Sequence, residues 1–379
     1  MDAPKSKQLR RSYGFDEVAI VPGDVTINPD QTDMGLQIGD LNIAIPVLAA
    51  AMDAITDVNF TILMSKMGGL AVLNLEGVQT RYDNPQEILA QIAQAPQMEV
   101  TRLLQKIYSQ PIKEDLVGER IQAIKKAGAI CAVAVAPANT KRLASVVAEA
   151  KADILVVQST VTTAHHTSKS YHGLVFSELV KSVSMPVVVG NCVSCSACLE
   201  LMHTGISGIL VGVGPGAACT SREVLGIGVP QITATIDCAA ARDQYFKEYG
   251  RYVAIITDGG IRKGGDMCKA FVAGADAVML GSVFAQTKEA PGLGYEWGMS
   301  QPHAALPRGT RIQVGTTGTL EQILFGPTSV TDGSQNLLGA LRTVMGVCGA
   351  STIKEMHQAE MVIAPAITSE GKSWQLAQH

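Results

Sequence analysis

The chain has 379 residues, of which 47% are hydrophobic and 17% charged, with a formal net charge of −4. This length suits one large α/β barrel or two ordinary domains, and the apolar share suffices for a large core. The absence of any run of five like charges argues against nucleic acid as the main partner. Without a stretch of 18 apolar residues or an N-terminal signal peptide, we expect a cytoplasmic protein that does not enter the membrane. Its eight cysteines are then expected to be reduced thiols.

Eight short apolar runs recur along the chain after an irregular lead-in, residues 1–46, which contains a predicted hairpin around Gly39-Asp40. Most runs are followed by a helical pattern, and the runs are Val47–Ala49, Leu70–Leu73, Ile130–Val133, Ile154–Val157, Val187–Val189, Gly208–Val211, Val253–Ile256 and Ala277–Leu280. Eight strand–helix units predict an α/β fold, a (β/α)8 TIM barrel formed by residues 1–379 as a single catalytic domain. An open doubly wound sheet is the alternative, but eight runs fit the barrel better.

Glycines between the helical patterns and the apolar runs support the strand–helix repeat. Gly128, Gly205 and Gly274 each stand just before a run, where a preceding helix needs a C-terminal cap. Two segments interrupt the repeat. A helical excursion occupies residues 75–125, and a Gly/Pro/Thr-rich insertion without clear periodicity occupies residues 287–335. Long irregular loops in compact domains are usually functional, so we interpret 287–335 as a flap.

A glycine-rich loop follows the sixth run and ends at a cysteine. Its sequence is Gly212-Val213-Gly214-Pro215-Gly216-Ala217-Ala218-Cys219-Thr220-Ser221. Such a loop cannot extend a helix or a central strand, but it can turn tightly at a strand end and let the backbone approach a ligand. A thiol there is placed as a nucleophile should be. The alternative is a buried structural cysteine after a glycine turn.

Two further loops follow the last two predicted strands. Asp258-Gly259-Gly260 follows the seventh run, and Gly281-Ser282 follows the eighth. In (β/α)8 barrels these two loops commonly form a phosphate site, because their backbone N–H groups point at the ligand. The Asp258 carboxylate could accept hydrogen bonds from ribose hydroxyls. The alternative is that all five are ordinary turn residues.

The cysteine and histidine spacings do not predict a transition-metal site. Cys192-x2-Cys195-x2-Cys198 would place its sulfurs on one helix face, but no fourth ligand stands nearby in the sequence. His165-His166 lies just beyond the fourth run, where a histidine pair is usually solvated. We therefore assign no metal to either group.

These motifs, in this order, resemble the family of inosine monophosphate dehydrogenase and GMP reductase. The resemblance covers most of the chain and is carried by Ala49–Asp53, Gly190-Asn191, Gly212–Ser221, Gly226–Gln231, Asp258–Arg262, Met279–Ser282, Tyr295 with Gly298–Ser300, and Leu337–Arg342. Dehydrogenases usually carry a regulatory CBS pair after the second strand. The excursion here is too short for it, so the chain resembles the branch that lacks this module.

The resemblance implies NAD-dependent oxidation of IMP to XMP, in the guanine branch of purine biosynthesis. Cys219 would attack C2 of the purine, hydride would leave C2 for the nicotinamide, and water would hydrolyse the thioimidate. Thr220 and Ser221 would complete the catalytic set, with Ser221 helping to orient that water. The resemblance also implies a homotetramer.

The resemblance further assigns binding residues. Asp258 would hold the ribose. The phosphate would be bound by Gly259, Gly260, Gly281 and Ser282, with Tyr295 reaching towards it. Met52 would pack on the base, and the backbone of Met299, next to Gly298, would contact the edge of the base. The NAD-binding residues would be Gln158, Ser159, Asn191 and Gly212. A monovalent cation, potassium, would be held by the carbonyls of Gly214, Gly216 and Cys219 and by Glu370 and Gly371 of a neighbouring subunit.

Several positions depart from the family pattern. Ala217 replaces a phosphate-binding serine, Gln158 an aspartate, and Leu210 a basic residue. The flap is shortened and lacks the Arg-Tyr pair that serves as the hydrolytic base, so Arg308 and Arg311 are its candidates. Arg308 also replaces a glutamate that supports ammonia release in reductases. Two alternatives therefore stay open: NADPH-dependent reduction of GMP to IMP, and a nucleotide-binding regulator without turnover.

Overall fold

Eight parallel strands close into a barrel, which confirms the predicted (β/α)8 architecture. The structure is a computed structural model that describes residues 9–167, 173–298, 311–367 and 369–372. Its strands are β1 (Val18–Ile20), β2 (Leu36–Ile38), β3 (Leu41–Ile43), β4 (Val47–Ala49), β5 (Leu70–Asn74), β6 (Ala132–Val135), β7 (Ile154–Gln158), β8 (Val187–Cys192), β9 (Gly208–Val211), β10 (Ala254–Asp258), β11 (Ala277–Leu280), β12 (Tyr295–Trp297), β13 (Arg311–Gln313) and β14 (Met361–Ile363).

The helices that cover and extend the barrel alternate with these strands. They are α1 (Val58–Lys66), α2 (Pro85–Gln94), α3 (Val100–Tyr108), α4 (Glu114–Lys126), α5 (Pro137–Glu149), α6 (Phe176–Ser182), α7 (Cys195–His203), α8 (Ser221–Leu225), α9 (Gln231–Tyr249), α10 (Gly264–Val272), α11 (Ser282–Ala285), α12 (Leu320–Phe325), α13 (Leu337–Val347) and α14 (Ile353–Met356). Within the described ranges, no helix combines the length and apolarity needed to cross a membrane.

The barrel strands pair in sequence order from β4 to β11, and β11 closes the ring on β4. They are buried along almost their whole length, as expected for parallel strands covered on both faces. The three predicted helix caps, Gly128, Gly205 and Gly274, have φ angles of 72°, 94° and 104°. A left-handed residue at this position ends the helix and turns the chain into the next strand. The repeat therefore follows from apolar runs separated by glycine stops.

One strand lies two residues later than its apolar run indicates. The run Ile130–Val133 predicts the third barrel strand, whereas β6 begins at Ala132. The amide of Ile130 donates to the Ser65 hydroxyl, at 3.0 Å, and the amide of Cys131 donates to the Asp153 carboxylate, at 2.7 Å. Side chains thus satisfy these two amides before the strand ladder starts.

The segments outside the barrel are partly regular. The predicted hairpin forms as β2 and β3, whereas β1 pairs with β14 near the far end of the chain. The insertion 287–335 is more ordered than its sequence indicates, because β12 pairs with β13 and a six-residue helix, α12, follows. Thr319 and Gln322 form a capping box at the start of α12. These elements are too short to show a hydrophobic period.

Candidate active site

Three predicted site residues meet at the mouth of the barrel, where β7, β8 and β10 end. The Asp258 carboxylate accepts hydrogen bonds through one oxygen, Oδ2, from Gln158 Nε2 at 3.1 Å and from Asn191 Nδ2 at 2.8 Å. Gln158 Nε2 also donates to Asn191 Oδ1 at 3.1 Å. The sequence assigned Asp258 to the substrate and the two amides to the cofactor, so the structure joins the two predicted groups into one network.

This network leaves Asp258 with one oxygen available. Among the described residues, Oδ1 of Asp258 has no hydrogen-bond partner. Burial at the barrel mouth raises the pKa of Asp258 to about 6, and the hydrogen bonds from Asn191 and Gln158 oppose that rise. No cationic group contributes to this balance. Asp258 is therefore a positioned acceptor, suited to a ligand that brings hydroxyl donors.

The glycine-rich loop after β9 presents Cys219 to solvent. Cys219 is exposed, its amide donates to the Gly216 carbonyl at 3.0 Å, and its Sγ lies 3.4 Å from the Oγ of Ser221. Ser221 is buried in the first turn of α8, whereas Thr220 precedes that helix. The exposed thiol rules out the alternative of a buried structural cysteine and suits a nucleophile that must reach a ligand.

Gln231 links the roots of the Cys219 loop and the Asp258 loop. Its Nε2 donates to the Val211 carbonyl at 2.6 Å and to the Asp258 carbonyl at 3.1 Å. Gly212 passes so close to the Asp258 carbonyl that a Cβ at this position would collide with it, and its φ of 150° disfavours other residues. The two loops thus form one unit. No role is predicted for Gln231 from the sequence, because its partners lie 20 and 27 residues away in the chain.

The predicted phosphate loops lie beside the Cys219 loop, and they include an acidic neighbour that the sequence did not indicate. Gly259 and Gly260 pack against Pro215 of the Cys219 loop. The Ser282 hydroxyl donates to the Glu296 carboxylate at 2.7 Å. Glu296 is buried, and burial raises its pKa. A phosphate bound here would therefore compete with Glu296 for the Ser282 proton.

On the side predicted to hold the base, a hydrogen-bond chain runs from the β4 loop to β12. Met52, partly buried, packs against the core, and Asp53 follows it. Asp53 Oδ2 accepts from the Val78 amide at 2.9 Å and from the Tyr108 hydroxyl at 2.6 Å, and that hydroxyl accepts from Trp297 Nε1 at 2.8 Å. Burial raises the pKa of Asp53 to about 6. Tyr108 ends α3 within the helical excursion, which therefore supports both elements.

The flap residues predicted from the sequence are only partly described. Met299 and Arg308 lie outside the described residues, and Gly298 is the last residue before that gap. Arg311 begins β13 and is 4% exposed. Its guanidinium donates to the carbonyls of Ile92 and of Ala93, the latter at 2.9 Å, in the last turn of α2. Its charge also lies 4.3 Å from the Tyr295 ring centroid.

These contacts give Arg311 a different role from the one predicted. Carbonyls at a helix C-terminus lack partners within the helix, and a cation stabilises them. Arg311 is therefore a buried anchor between α2 and β13, and its guanidinium is directed to the carbonyls of α2. The Tyr295 ring, predicted to contact the substrate, is stacked under this guanidinium. Of the two predicted arginines, only Arg308 is then left as a candidate for hydrolysis.

The residues predicted for cofactor and cation fit these groups to different degrees. Gln158 Oε1 is buried without a hydrogen-bond partner among the described residues, which suits a donor on a bound cofactor. The Ser159 hydroxyl already contacts Val161 and Thr162.

The carbonyls of Gly214 and Gly216 lie in the turn before Cys219, and neutral backbone oxygens suit a hard monovalent cation. Glu370 and Gly371 lie in an exposed turn, with no contact to this loop within the described chain.

Fold and site together define a (β/α)8-barrel protein in which a glycine-rich loop with an exposed cysteine lies beside a partly buried carboxylate. The family model described as IMP dehydrogenase / GMP reductase domain matches residues 12–373. The chain therefore belongs to the IMP dehydrogenase / GMP reductase family.

Individual relatives agree with this assignment. A protein named an uncharacterized oxidoreductase, from Mycolicibacterium smegmatis, is 38% identical over 366 residues, which cover 94% of this chain and 98% of the relative. The inosine-5′-monophosphate dehydrogenase of Methanocaldococcus jannaschii is 26% identical, with 95% and 94% covered. The crystal structure of an IMP dehydrogenase/GMP reductase-like protein from Corynebacterium glutamicum superposes with a TM-score of 0.89 at 34% identity, covering 96% of this chain and 97% of that one. These relatives support an oxidoreductase.

Proposed function

We propose that the protein is a nicotinamide-dependent oxidoreductase that acts at C2 of a purine nucleotide through Cys219, with NAD-dependent oxidation of IMP to XMP as its reaction. The observation that carries this proposal is the exposed Cys219 thiol on a loop that Gln231 ties to Asp258. A nucleophile and a ribose acceptor on one rigid unit can hold the sugar while sulfur reaches the base. Residue roles at this site are part of the proposal.

In this reaction Cys219 Sγ forms a bond to C2, and C2 then loses hydride to give a thioimidate on the enzyme. NAD, when bound, supplies the hydride acceptor. Water replaces sulfur at C2 and releases XMP, so that IMP, NAD and water give XMP, NADH and a proton. Ser221 Oγ, 3.4 Å from Sγ, is placed to hold a water or a proton next to that sulfur. Potassium would order the Gly214–Cys219 carbonyls, and the active assembly would be a homotetramer in the cytoplasm.

One observation favours a second function, NADPH-dependent reduction of GMP to IMP with release of ammonia. Hydrolysis of the thioimidate needs a proton acceptor, and Arg311, one of the two predicted candidates, is buried against the last turn of α2. Reduction of GMP does not require that hydrolysis. The same Cys219 adduct would instead form by loss of the 2-amino group, and hydride would then be delivered to C2.

The two functions, and a regulator without turnover, are distinguished by one pair of assays. Purified protein is incubated with IMP and NAD plus potassium, and separately with GMP and NADPH. Absorbance of the reduced nicotinamide is followed and the purine product is identified by chromatography. We expect NADH and XMP in the first assay. Conversion of GMP to IMP alone would reverse the assigned direction, and nucleotide binding without turnover in both would support the regulator.

The flap arginines are expected to differ in the dehydrogenase reaction. If Arg308 serves hydrolysis, Arg308→Ala should keep the pre-steady-state burst of NADH and slow the steady state by ~10²-fold, the usual range for acid–base groups. Arg311→Ala should lower thermal stability, because it removes the guanidinium that donates to two buried carbonyls of α2. Rapid-mixing kinetics and thermal unfolding of both variants provide the measurement. An unchanged steady state in Arg308→Ala would place the base elsewhere.

A further inference from the structure

Three thiols from three different elements meet in the wall of the barrel. Cys192 ends β8, Cys198 lies in α7, and Cys238 lies in α9, and their Sγ atoms are all within 4.8 Å of one another. The Sγ atoms of Cys192 and Cys198 are 3.2 Å apart. All three residues are at most 2% exposed. Cys195, the middle cysteine of the sequence motif, does not belong to this group, and Cys238 takes its place.

The spacing of the three sulfurs fits a single bound ion. Bonds from an ion to thiolate sulfur are about 2.3 Å long, so three sulfurs around a coplanar ion lie roughly 4 Å apart. The observed sulfurs, 3.2 Å apart for one pair and within 4.8 Å for all, bracket that value. Small side-chain rotations would therefore complete a three-sulfur site without any change in the backbone.

The surroundings of the cluster restrict the class of ion. Its members belong to an apolar cluster that packs α7 and α9 on the barrel. No carboxylate or imidazole of the described chain joins the three sulfurs, so hard cations such as magnesium and calcium have no oxygen ligands here. Zinc usually takes four ligands, and the group provides three.

The thiophilic ions differ in the net charge that each would have together with three thiolates. A buried charge without a partner is strongly unfavourable in an apolar environment. Copper(I) bound by three thiolates would leave two negative charges, and a divalent ion would leave one. A trivalent ion leaves none. Arsenous acid reacts with three thiols to give a neutral tris-thiolate and three molecules of water, without oxidation or reduction.

We propose that Cys192, Cys198 and Cys238 form a binding site for a thiophilic ion with three sulfur ligands, and that trivalent arsenic is the ion whose charge fits it. None of the three cysteines is a predicted active-site residue. The Cys192 carbonyl nevertheless accepts a hydrogen bond, at 3.1 Å, from the amide of Gly212, a predicted cofactor residue at the root of the Cys219 loop. Occupation of the site would thus hold the end of β8 and the start of that loop together.

The test uses the reduced full-length protein and sodium arsenite as the probe. After gel filtration, elemental analysis should find one arsenic per chain, and native mass spectrometry should find the mass of one arsenic less three hydrogens. Cys238→Ala and Cys198→Ala, on different helices, should each lower retained arsenic at least tenfold. Cys268→Ala is the matched control, because Cys268 is also fully buried but lies outside the group. It should retain arsenic like the wild type.

Three results would overturn the proposal. The first is wild-type protein that retains no arsenic. The second is an adduct that has lost only two hydrogens, which would indicate a dithiol site and is readable even if a variant fails to fold. The third concerns parallel samples incubated with zinc or with copper(I): if the protein retains zinc in preference to arsenic, the site must contain a fourth ligand for zinc. A bound ion should also raise the thermal midpoint of the wild type and leave that of Cys238→Ala unchanged.

Discussion

Cys219→Ala is expected to abolish turnover, by at least ~10⁴-fold, while leaving nucleotide affinity within a few-fold of the wild type. Removal of a covalent nucleophile usually reduces the rate by several orders of magnitude, because no alternative step of comparable barrier exists. Binding should persist, since the proposed pocket is formed by Asp258 and by backbone groups of the glycine loops. Steady-state absorbance of the reduced nicotinamide and titration calorimetry with IMP and GMP measure the two quantities.

Cys195→Ala provides the matched control, because Cys195 is a partly exposed thiol at the start of α7 that no proposed site includes. It should keep both activity and affinity. Denaturing mass spectrometry during turnover should detect a nucleotide adduct in the wild type and in Cys195→Ala, but none in Cys219→Ala. Substantial turnover by Cys219→Ala would contradict covalent catalysis at this position.

Asp258→Asn is expected to weaken nucleotide binding and to stabilise the fold at neutral pH. Both hydrogen bonds to Asp258 enter through one oxygen, so the asparagine carbonyl can accept them while its NH₂ group replaces the other oxygen. That NH₂ group cannot accept a hydrogen bond from a ribose hydroxyl. The loss of affinity should be about 1.5–3 kcal/mol, the range for a hydrogen bond to a charged group. Calorimetric titration gives the dissociation constants.

The stability effect of Asp258→Asn should depend on pH with a defined sign. The folded-state pKa of Asp258 is raised from 3.8 to about 6, so the stability that its proton contributes is complete below pH ~4 and is lost as pH rises through 6. An asparagine side chain does not titrate, so the variant does not lose stability at this position as pH rises. The variant should therefore gain about 1–2 kcal/mol relative to the wild type between pH 4 and pH 8. This is less than the ~2.7 kcal/mol of two full pKa units, because Asp258 is partly exposed.

Asp276→Asn gives the opposite expectation and serves as the comparison. Asp276 is buried in an ion pair with Arg242, at 3.0 Å, so removal of its charge leaves this buried cation with only the exposed carboxylate of Asp243 as an ion-pair partner. That variant should be less stable than the wild type at neutral pH. Denaturant unfolding at several pH values measures both variants. If Asp258→Asn lost as much stability as the wild type between pH 4 and pH 8, Asp258 would not be a desolvated acid.

The barrel was predictable from the sequence because its determinants are local. Each buried parallel strand requires a short apolar run, and several of the preceding helices end at a glycine of positive φ, as at Gly128, Gly205 and Gly274. Local patterns fail where a side chain from elsewhere intervenes. β6 starts late because Asp153, 22 residues from Cys131, captures an amide that the apolar run assigned to the ladder.

The candidate site was predictable only in part, for the same reason. Cys219 and Asp258 stand at strand ends and belong to motifs that the sequence displays. Glu296 and Tyr108 belong to no such motif, and Gln231 ends one that indicates no role for it, since each acts through a partner brought close by the closed barrel or by the helical excursion. Tyr108 and Trp297, for example, are 189 residues apart in the chain. Spacing within the chain likewise suggested the wrong third cysteine, Cys195, because α9 delivers Cys238 to the cluster.

The anchoring of β12 and β13 has a consequence for how this enzyme can diversify. Trp297 pairs with Arg311 across the ribbon, and the helical excursion holds both through Tyr108 and through the last turn of α2. The residues that flank this segment, Trp297 and Arg311, are therefore held at neighbouring fixed points. The entropy of closing a loop grows only slowly with its length, so insertions there change stability little. The segment between Trp297 and Arg311 could thus be replaced by segments of different length from relatives, which would alter the reaction while the barrel stays unchanged.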